Sequence, residues 1–142
     1  MHPMRDRWRE PVFREFFSDA LAQQGALVAL DCKTGEMIGS SRFQAYDPQD
    51  RSVEVGWTFL ARSHWGTGHN REMKRLMVGH ALSYVDRVDF RVGESNLRSR
   101  RALEKIGARL SPSRIERVKT DIGETVHLYY EMALDDFARE VR

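Results

Sequence analysis

The stretch that most constrains this chain runs from residue 51 to residue 92, where the apolar period changes twice. From Arg51 to Leu60 the residues alternate: Val53, Val55, Trp57 and Phe59 point one way, and Glu54, Gly56, Thr58 and Leu60 the other. That is the period of a strand with two unlike faces. A loop, Ala61 to His69, follows. Asn70 then caps a helix running to about Val85, with Met73, Leu76, Met77, Ala81, Tyr84 and Val85 as its apolar stripe. His80 falls inside that stripe and reads as a core histidine. Val88 to Val92 is again a strand. A strand, a helix and a strand in this order imply a crossover and a parallel pair.

The flanking segments read as antiparallel pairs and short helices. Pro11 suits the first turn of a helix, and Val12, Phe13, Phe16, Phe17, Ala20 and Leu21 recur at helical spacing before Gly25 stops it. Ala26 to Leu30 is a short apolar strand, Asp31 to Gly35 a turn, and Glu36 to Tyr46 a strand. That strand joins Arg51–Leu60 in a hairpin about Asp47-Pro48-Gln49-Asp50. Downstream come a helix, Leu97 to Ile106, ended by Gly107, and a hairpin of Arg114–Thr120 with Thr125–Leu134. A short helical tail, Asp135 to Val141, closes the chain. The expected fold is α+β (mixed α/β): a mixed, mostly antiparallel sheet with one parallel pair and helices on both faces. Residues 1–142 form one domain.

Composition excludes several classes. No apolar run approaches the roughly 18 residues that span a bilayer. Met1 to Arg7 hold no apolar stretch after their basic residues, so no secretory signal is expected. Cys32 is the only cysteine, which fits a reducing compartment, and the cytoplasm is the expected location. A net charge of +2 is too mild to argue for nucleic acid. Basic residues nonetheless crowd between Arg98 and Lys119, as a solvated face or as a partner for phosphate groups. No metal is expected, since His64, His69 and His127 show no ligand spacing and Cys32 is isolated.

The chemistry sits between the crossover strands. Gly66-Thr67-Gly68 lies at a strand-to-helix junction, where backbone N–H groups and the positive end of the helix can hold an anion such as a pyrophosphate. A dinucleotide fingerprint is excluded because Arg71 stands where its third glycine belongs. A phosphate loop of the nucleotide-triphosphatase type is excluded because no Gly-Lys-Ser/Thr follows. By itself, the loop is equally a plain tight turn.

Further on comes Asn96-Leu97-Arg98-Ser99, leading into Glu104-Lys105-Ile106-Gly107-Ala108. Taken together, Trp65-Gly66-Thr67-Gly68-His69-Asn70 and this second segment resemble the two signatures of the GNAT superfamily of acyl-CoA-dependent N-acetyltransferases. Within it, they resemble the branch of ribosomal-protein serine and alanine N-acetyltransferases. The resemblance spans about residues 26–134. It implies acetyl-CoA as acyl donor, with the backbone of Thr58, Phe59 and Leu60 along its pantetheine arm and Trp65 to Asn70 around its pyrophosphate. Asn96 would contact the arm, and Ser99 would hydrogen-bond the leaving thiol. Glu54 would be the base that takes a proton from the amine. Three departures stand out: Trp65 in place of glutamine or arginine, Asn70 in place of glycine or alanine, and no tyrosine near Leu103. On this resemblance the family's first strand and first helix are missing from the front of the chain. The apolar strand Ala26–Leu30 would then be a sheet edge, which a homodimer would cover.

Energetics narrow the acceptor. An α-amine of pKa near 8 needs about 1.4 kcal/mol to lose its proton at pH 7, and a lysine amine about 4.6 kcal/mol. A site with one carboxylate base is better matched to an α-amine or another weakly basic amine, on a protein N-terminus, an amino acid or a drug-like molecule. Two other readings stand beside the enzyme: a non-catalytic acyl-CoA-binding or ligand-sensing module, and an RNA- or ribosome-associated protein using the Arg98–Lys119 cluster.

Overall fold

The computed structural model describes residue 6 and residues 8–140. Met1 to Arg5, Arg7, Val141 and Arg142 lie outside the described residues, and with them most of the segment read for a signal and the last position of the expected tail. Four helices and six strands follow in the order α1 (Glu10–Gln23), β1 (Ala26–Leu30), β2 (Met37–Asp47), β3 (Ser52–Leu60), α2 (His69–Ala81), β4 (Arg87–Gly93), α3 (Leu97–Lys105), β5 (Arg109–Thr120), β6 (Gly123–Ala133) and α4 (Leu134–Glu140). A single 3-10 turn, Arg62–His64, lies between β3 and α2. The strands form one sheet in the order β1-β2-β3-β4-β6-β5. Every neighbouring pair is antiparallel except β3 and β4, the parallel pair that the crossover implies.

Adjacent residues on β2 show how the faces are shared. Phe43 packs beside His80 of α2, whereas Arg42 sits 4.2 Å over the ring of Phe16 in α1. Thus α2 covers one face and α1 the other. On the α2 face Met77, Val78 and Ala81 meet Val53, Val55, Val88, Phe90, Tyr130 and Met132, with Leu103 and Ile106 from the end of α3. On the opposite face Arg42 is fully buried and donates to the Phe16 carbonyl at 2.8 Å and to Asp19 Oδ2 at 3.1 Å. A buried guanidinium is tolerated only when its donors are matched, so this one arginine fixes α1 to the sheet.

Several boundaries differ from the sequence expectations. Helix α2 begins at His69, because Gly68 takes the N-cap with φ 86°; Asn70 lies inside the first turn. It ends at Ala81 in tightening turns through Tyr84, after which Asp86 and Arg87 donate to the Arg51 carbonyl and start β4. The buried stripe of α2 is Lys74, Met77, Val78 and Ala81, while Leu76, Tyr84 and His80 are exposed. On α1 only Phe16 and Ala20 are buried, and Phe13, Phe17 and Leu21 face solvent. Strand β5 starts five residues early, at Arg109, with a register shift between Leu110 and Ile115 around Pro112. An edge strand accommodates a proline in this way. Strand β1 is the other edge, with Leu27, Val28 and Leu30 exposed. No helix among the described residues is long and apolar enough to cross a membrane.

Candidate functional site

Strands β3 and β4 pair only from Ser52 and Arg87 to Glu54 and Asp89. Beyond that point β3 runs on to Leu60 and β4 to Gly93 without pairing to each other. A wedge opens between them, along which the β3 backbone no longer pairs with β4.

A β-bulge sets what β3 shows to this wedge. Arg42 pairs with Gly56 and Ser40 with Phe59, so Trp57 and Thr58 together oppose Ser41. Trp57 takes φ 53°, a conformation that β-branched and bulky residues rarely adopt. The extra residue reverses the alternation expected from sequence. Trp57 joins the Glu54 face and meets Phe16 of α1 at 5.5 Å between ring centroids, while Thr58 turns to the α2 face. Glu54 therefore does not share a face with Thr58.

At the point where the strands part, two ionisable groups lie on opposite faces. Glu54 accepts from Gln44 Nε2 at 2.9 Å and is half-buried. Burial raises its pKa, an effect partly offset by the Gln44 hydrogen bond and by Arg91. On the other face is Lys74, 6% exposed, with no ion-pair partner among the described residues. Its Nζ contacts Thr58 Oγ1 and lies 5.7 Å from the Phe90 ring centroid. Burial without a counter-charge lowers its pKa from 10.5 to about 7. Ser41 Oγ donates to the Gly56 carbonyl at 3.3 Å, so the 2.8 Å contact between Ser41 and Thr58 is donated by Thr58. The Thr58 oxygen is left to accept from Lys74, and the lone pair of a neutral Lys74 amine remains available.

The glycine loop closes the open end of the wedge. Gly66 and Gly68 take φ 72° and 86°, and neither has another atom within 4 Å of an added Cβ, so conformation and not crowding calls for glycine. Trp65 Nε1 donates to the Leu60 carbonyl at 2.8 Å, and Arg98 of α3 stacks 4.0 Å over the Trp65 ring. That stack brings the first turn of α3 to the loop. Asn96 caps α3, its Oδ1 accepting from the Ser99 N–H at 3.2 Å. Ser99 is half-buried, and Phe59 and Asn96 are exposed.

Most other arginines of the downstream cluster are committed within the fold. Arg109 pairs with Asp136, Arg114 with Asp89 and Glu131, and Arg117 with Glu124. Arg100 donates to the Glu94 carbonyl and to Tyr130. Lys74 and the His64–His69 pair escaped sequence reasoning. A lysine in an apolar stripe reads as a polar interruption, and a five-residue spacing is no ligand motif. Yet the 3-10 turn and the glycine loop fold the two histidine rings to 4.8 Å, edge to face, beside Asp31, whereas His127 stands apart on β6 against Arg91.

The family described as "Acetyltransferase (GNAT) domain" matches residues 3–109. Among solved structures the chain resembles one described as an acetyltransferase, with 27% identity and a TM-score of 0.77 over 93% of this chain and 69% of that one. A GCN5-related N-acetyltransferase from Brucella melitensis gives 17% identity and a TM-score of 0.79 over 97% of this chain and 63% of that one. A spermidine N-acetyltransferase chimera built in part from Vibrio cholerae gives 14% identity and a TM-score of 0.70, over 89% of this chain and 77% of that one. No curated protein matches in sequence.

Proposed function

The chain belongs to the GNAT family of acetyltransferases, and on that premise we propose that it moves the acetyl group of acetyl-CoA to a free α-amine by direct attack. The observation that carries the reading is the parting of β3 from β4 beyond Glu54 and Asp89, with the glycine loop across the open end. The wedge would take the pantetheine arm, the N–H groups of Thr58 to Leu60 would meet the thioester carbonyl, and the loop Trp65–Asn70 the pyrophosphate. Arg98, stacked on Trp65, stands ready to turn toward phosphate oxygens. Asn96 and Ser99 would border the arm from α3.

Two protons must move. Glu54 would accept one from the attacking amine, and burial, by raising its pKa, brings it nearer to that of the amine. Lys74, on the other face of the same point, would hand the second to the departing thiolate, a role that the family resemblance implied for Ser99. The neutral amine nitrogen gains the acetyl carbon as the carbon–sulfur bond breaks, the proton it then sheds passes to Glu54, and Lys74 in its ammonium form supplies the one that the thiolate takes up. An α-amine acceptor, such as the free N-terminus used by the ribosomal-protein branch, costs about 1.4 kcal/mol to deprotonate at pH 7. More basic acceptors, such as the spermidine for which the Vibrio chimera is named, cost several times more.

The decisive experiment pairs calorimetric titration with acetyl-CoA and CoA with a thiol-release assay on a panel of amines. Release with α-amines in preference to lysine-type amines supports the proposal. Absence of CoA binding overturns it, and binding without release from any amine selects the ligand-sensing module instead. The exposed β1 edge gives this enzyme a surface through which two chains would meet about a two-fold axis.

A further inference from the structure

We propose that Asp31, His64 and His69 form a binding site for a divalent transition metal of the zinc class, which staples the end of β1 to the glycine loop. Three separate elements supply the donors: Asp31 follows β1, His64 ends the 3-10 turn and His69 starts α2. Asp31 Oδ2 lies 3.5 Å from His64 Nε2 and 3.9 Å from His69 Nε2, and the three donor atoms are all within 4.8 Å of one another.

Each donor is oriented from its far side. Asp31 Oδ1 accepts from the backbone N–H groups of Lys33 at 2.8 Å and Thr34 at 3.3 Å, which leaves Oδ2 turned toward the histidines. Ser63 Oγ holds His64 Nδ1 at 2.9 Å. Thr67 Oγ1 lies 2.5 Å from the His64 carbonyl and 2.6 Å from His69 Nδ1. Thr67 has one hydroxyl proton, and the carbonyl can only accept, so that proton goes to His64. His69 Nδ1 must therefore donate to Thr67. With Nδ1 committed to Thr67, Nε2 is the His69 atom left to face Asp31 Oδ2, and it is the atom a metal ion would take.

The geometry suits a small divalent ion. Bonds of about 2.0–2.1 Å in a tetrahedron set donor atoms roughly 3.3 Å apart, so small side-chain rotations close the present separations. Two imidazoles and a carboxylate, with a fourth position left to water, form a common zinc donor set. All three side chains are partly exposed, which gives the ion a path from solvent. His64 and His69 bracket Trp65 to Gly68, so the ion would pin both ends of the loop to β1.

The test is a calorimetric titration of chelator-treated protein with zinc, repeated with cobalt(II) and followed by its visible absorption. One ion per chain, four-coordinate cobalt bands and a rise in melting temperature with excess zinc are expected. The double variant His64→Ala/His69→Ala, checked for folding by circular dichroism, should lose affinity by on the order of 100-fold or more. Cys32→Ser should bind as the parent does. Zinc binding that survives the double variant, or disappears in Cys32→Ser, overturns the assignment. So does absence of binding. The titrations contain no acetyl-CoA, so their failure leaves the acetyl-transfer reading standing, and loss of CoA binding would leave the metal site standing.

Discussion

Replacing Lys74 by methionine should make this protein more stable and less active. The parent buries an amine whose pKa falls from 10.5 to about 7, so the fold disfavours the ammonium that the unfolded chain holds at neutral pH. Three and a half units at about 1.4 kcal/mol each bound the cost near 5 kcal/mol, and about 4 kcal/mol of it is felt at pH 7. Methionine has a similar reach and no charge, and it loses only the hydrogen bond to Thr58, worth about 1 kcal/mol. A net gain of roughly 2–3 kcal/mol at pH 7 is expected, or several degrees in melting temperature. The sign with pH follows from proton counting. Between about pH 7 and 10.5 the unfolded chain holds a proton that the native one has lost, so Lys74 makes the parent gain stability as pH rises through that window. Below it both states are protonated and the penalty is whole. The groups facing Lys74 are Thr58 and Phe90 on β3 and β4, with Arg71 and Arg75 on its own helix and Glu140 of α4 along the same groove. Urea denaturation of parent and variant across this range, with turnover measured in parallel, is the assay. A variant less stable than the parent at pH 7, with an unchanged pH slope, would refute the burial argument. Unchanged kcat would refute the proton-transfer role.

Three further outcomes are expected. Gly68→Glu puts a carboxylate where the pyrophosphate would lie, at a backbone φ of 86°, and should abolish the rise in melting temperature produced by acetyl-CoA; an intact rise removes the loop from the cofactor site. Glu54→Gln should cut kcat by about 100-fold with little change in acetyl-CoA affinity, and equal activity would leave Glu54 a structural partner of Gln44. Val28, 56% exposed on the β1 edge, should weaken a dimer when changed to lysine. Light scattering that finds the parent monomeric at high concentration, and Val28→Lys no less soluble, would defeat the edge interface.

The order of elements and the parallel pair were legible because periodicity changes at each junction between residues 51 and 92. What escaped has physical reasons. Nothing in Val53-Glu54-Val55-Gly56-Trp57-Thr58 marks Trp57 as the inserted residue, since its φ is set by pairing with β2. Asn70 is a good cap by type, but Gly68 reaches the left-handed conformation at no steric cost and the helix starts there. Lys74 was invisible because hydropathy assigns amines to water, and only the fold shows that Thr58 and Phe90 wait for it. The early start of β5 was hidden by Pro112, which an interior strand would exclude. The glycine loop was legible as a tight strand-to-helix junction, but its histidines meet Asp31 only through chain reversal.

The single extra residue at Trp57 acts as a frame shift written in space instead of in codons. Upstream of it, even-numbered side chains of β3 look toward α1; downstream, Thr58 looks toward α2. A chain from which Trp57 was deleted could still pair β2 with β3, now in strict alternation. Thr58 would then keep its place opposite Ser41 on the α2 side, within reach of Lys74, but Arg42 would lose one of its two rings. An extra residue beside Ser41 in β2 would do the opposite: it would straighten the pairing with Trp57 retained, turn Trp57 toward α2 and Thr58 toward α1, and so exchange the two sides of the cleft.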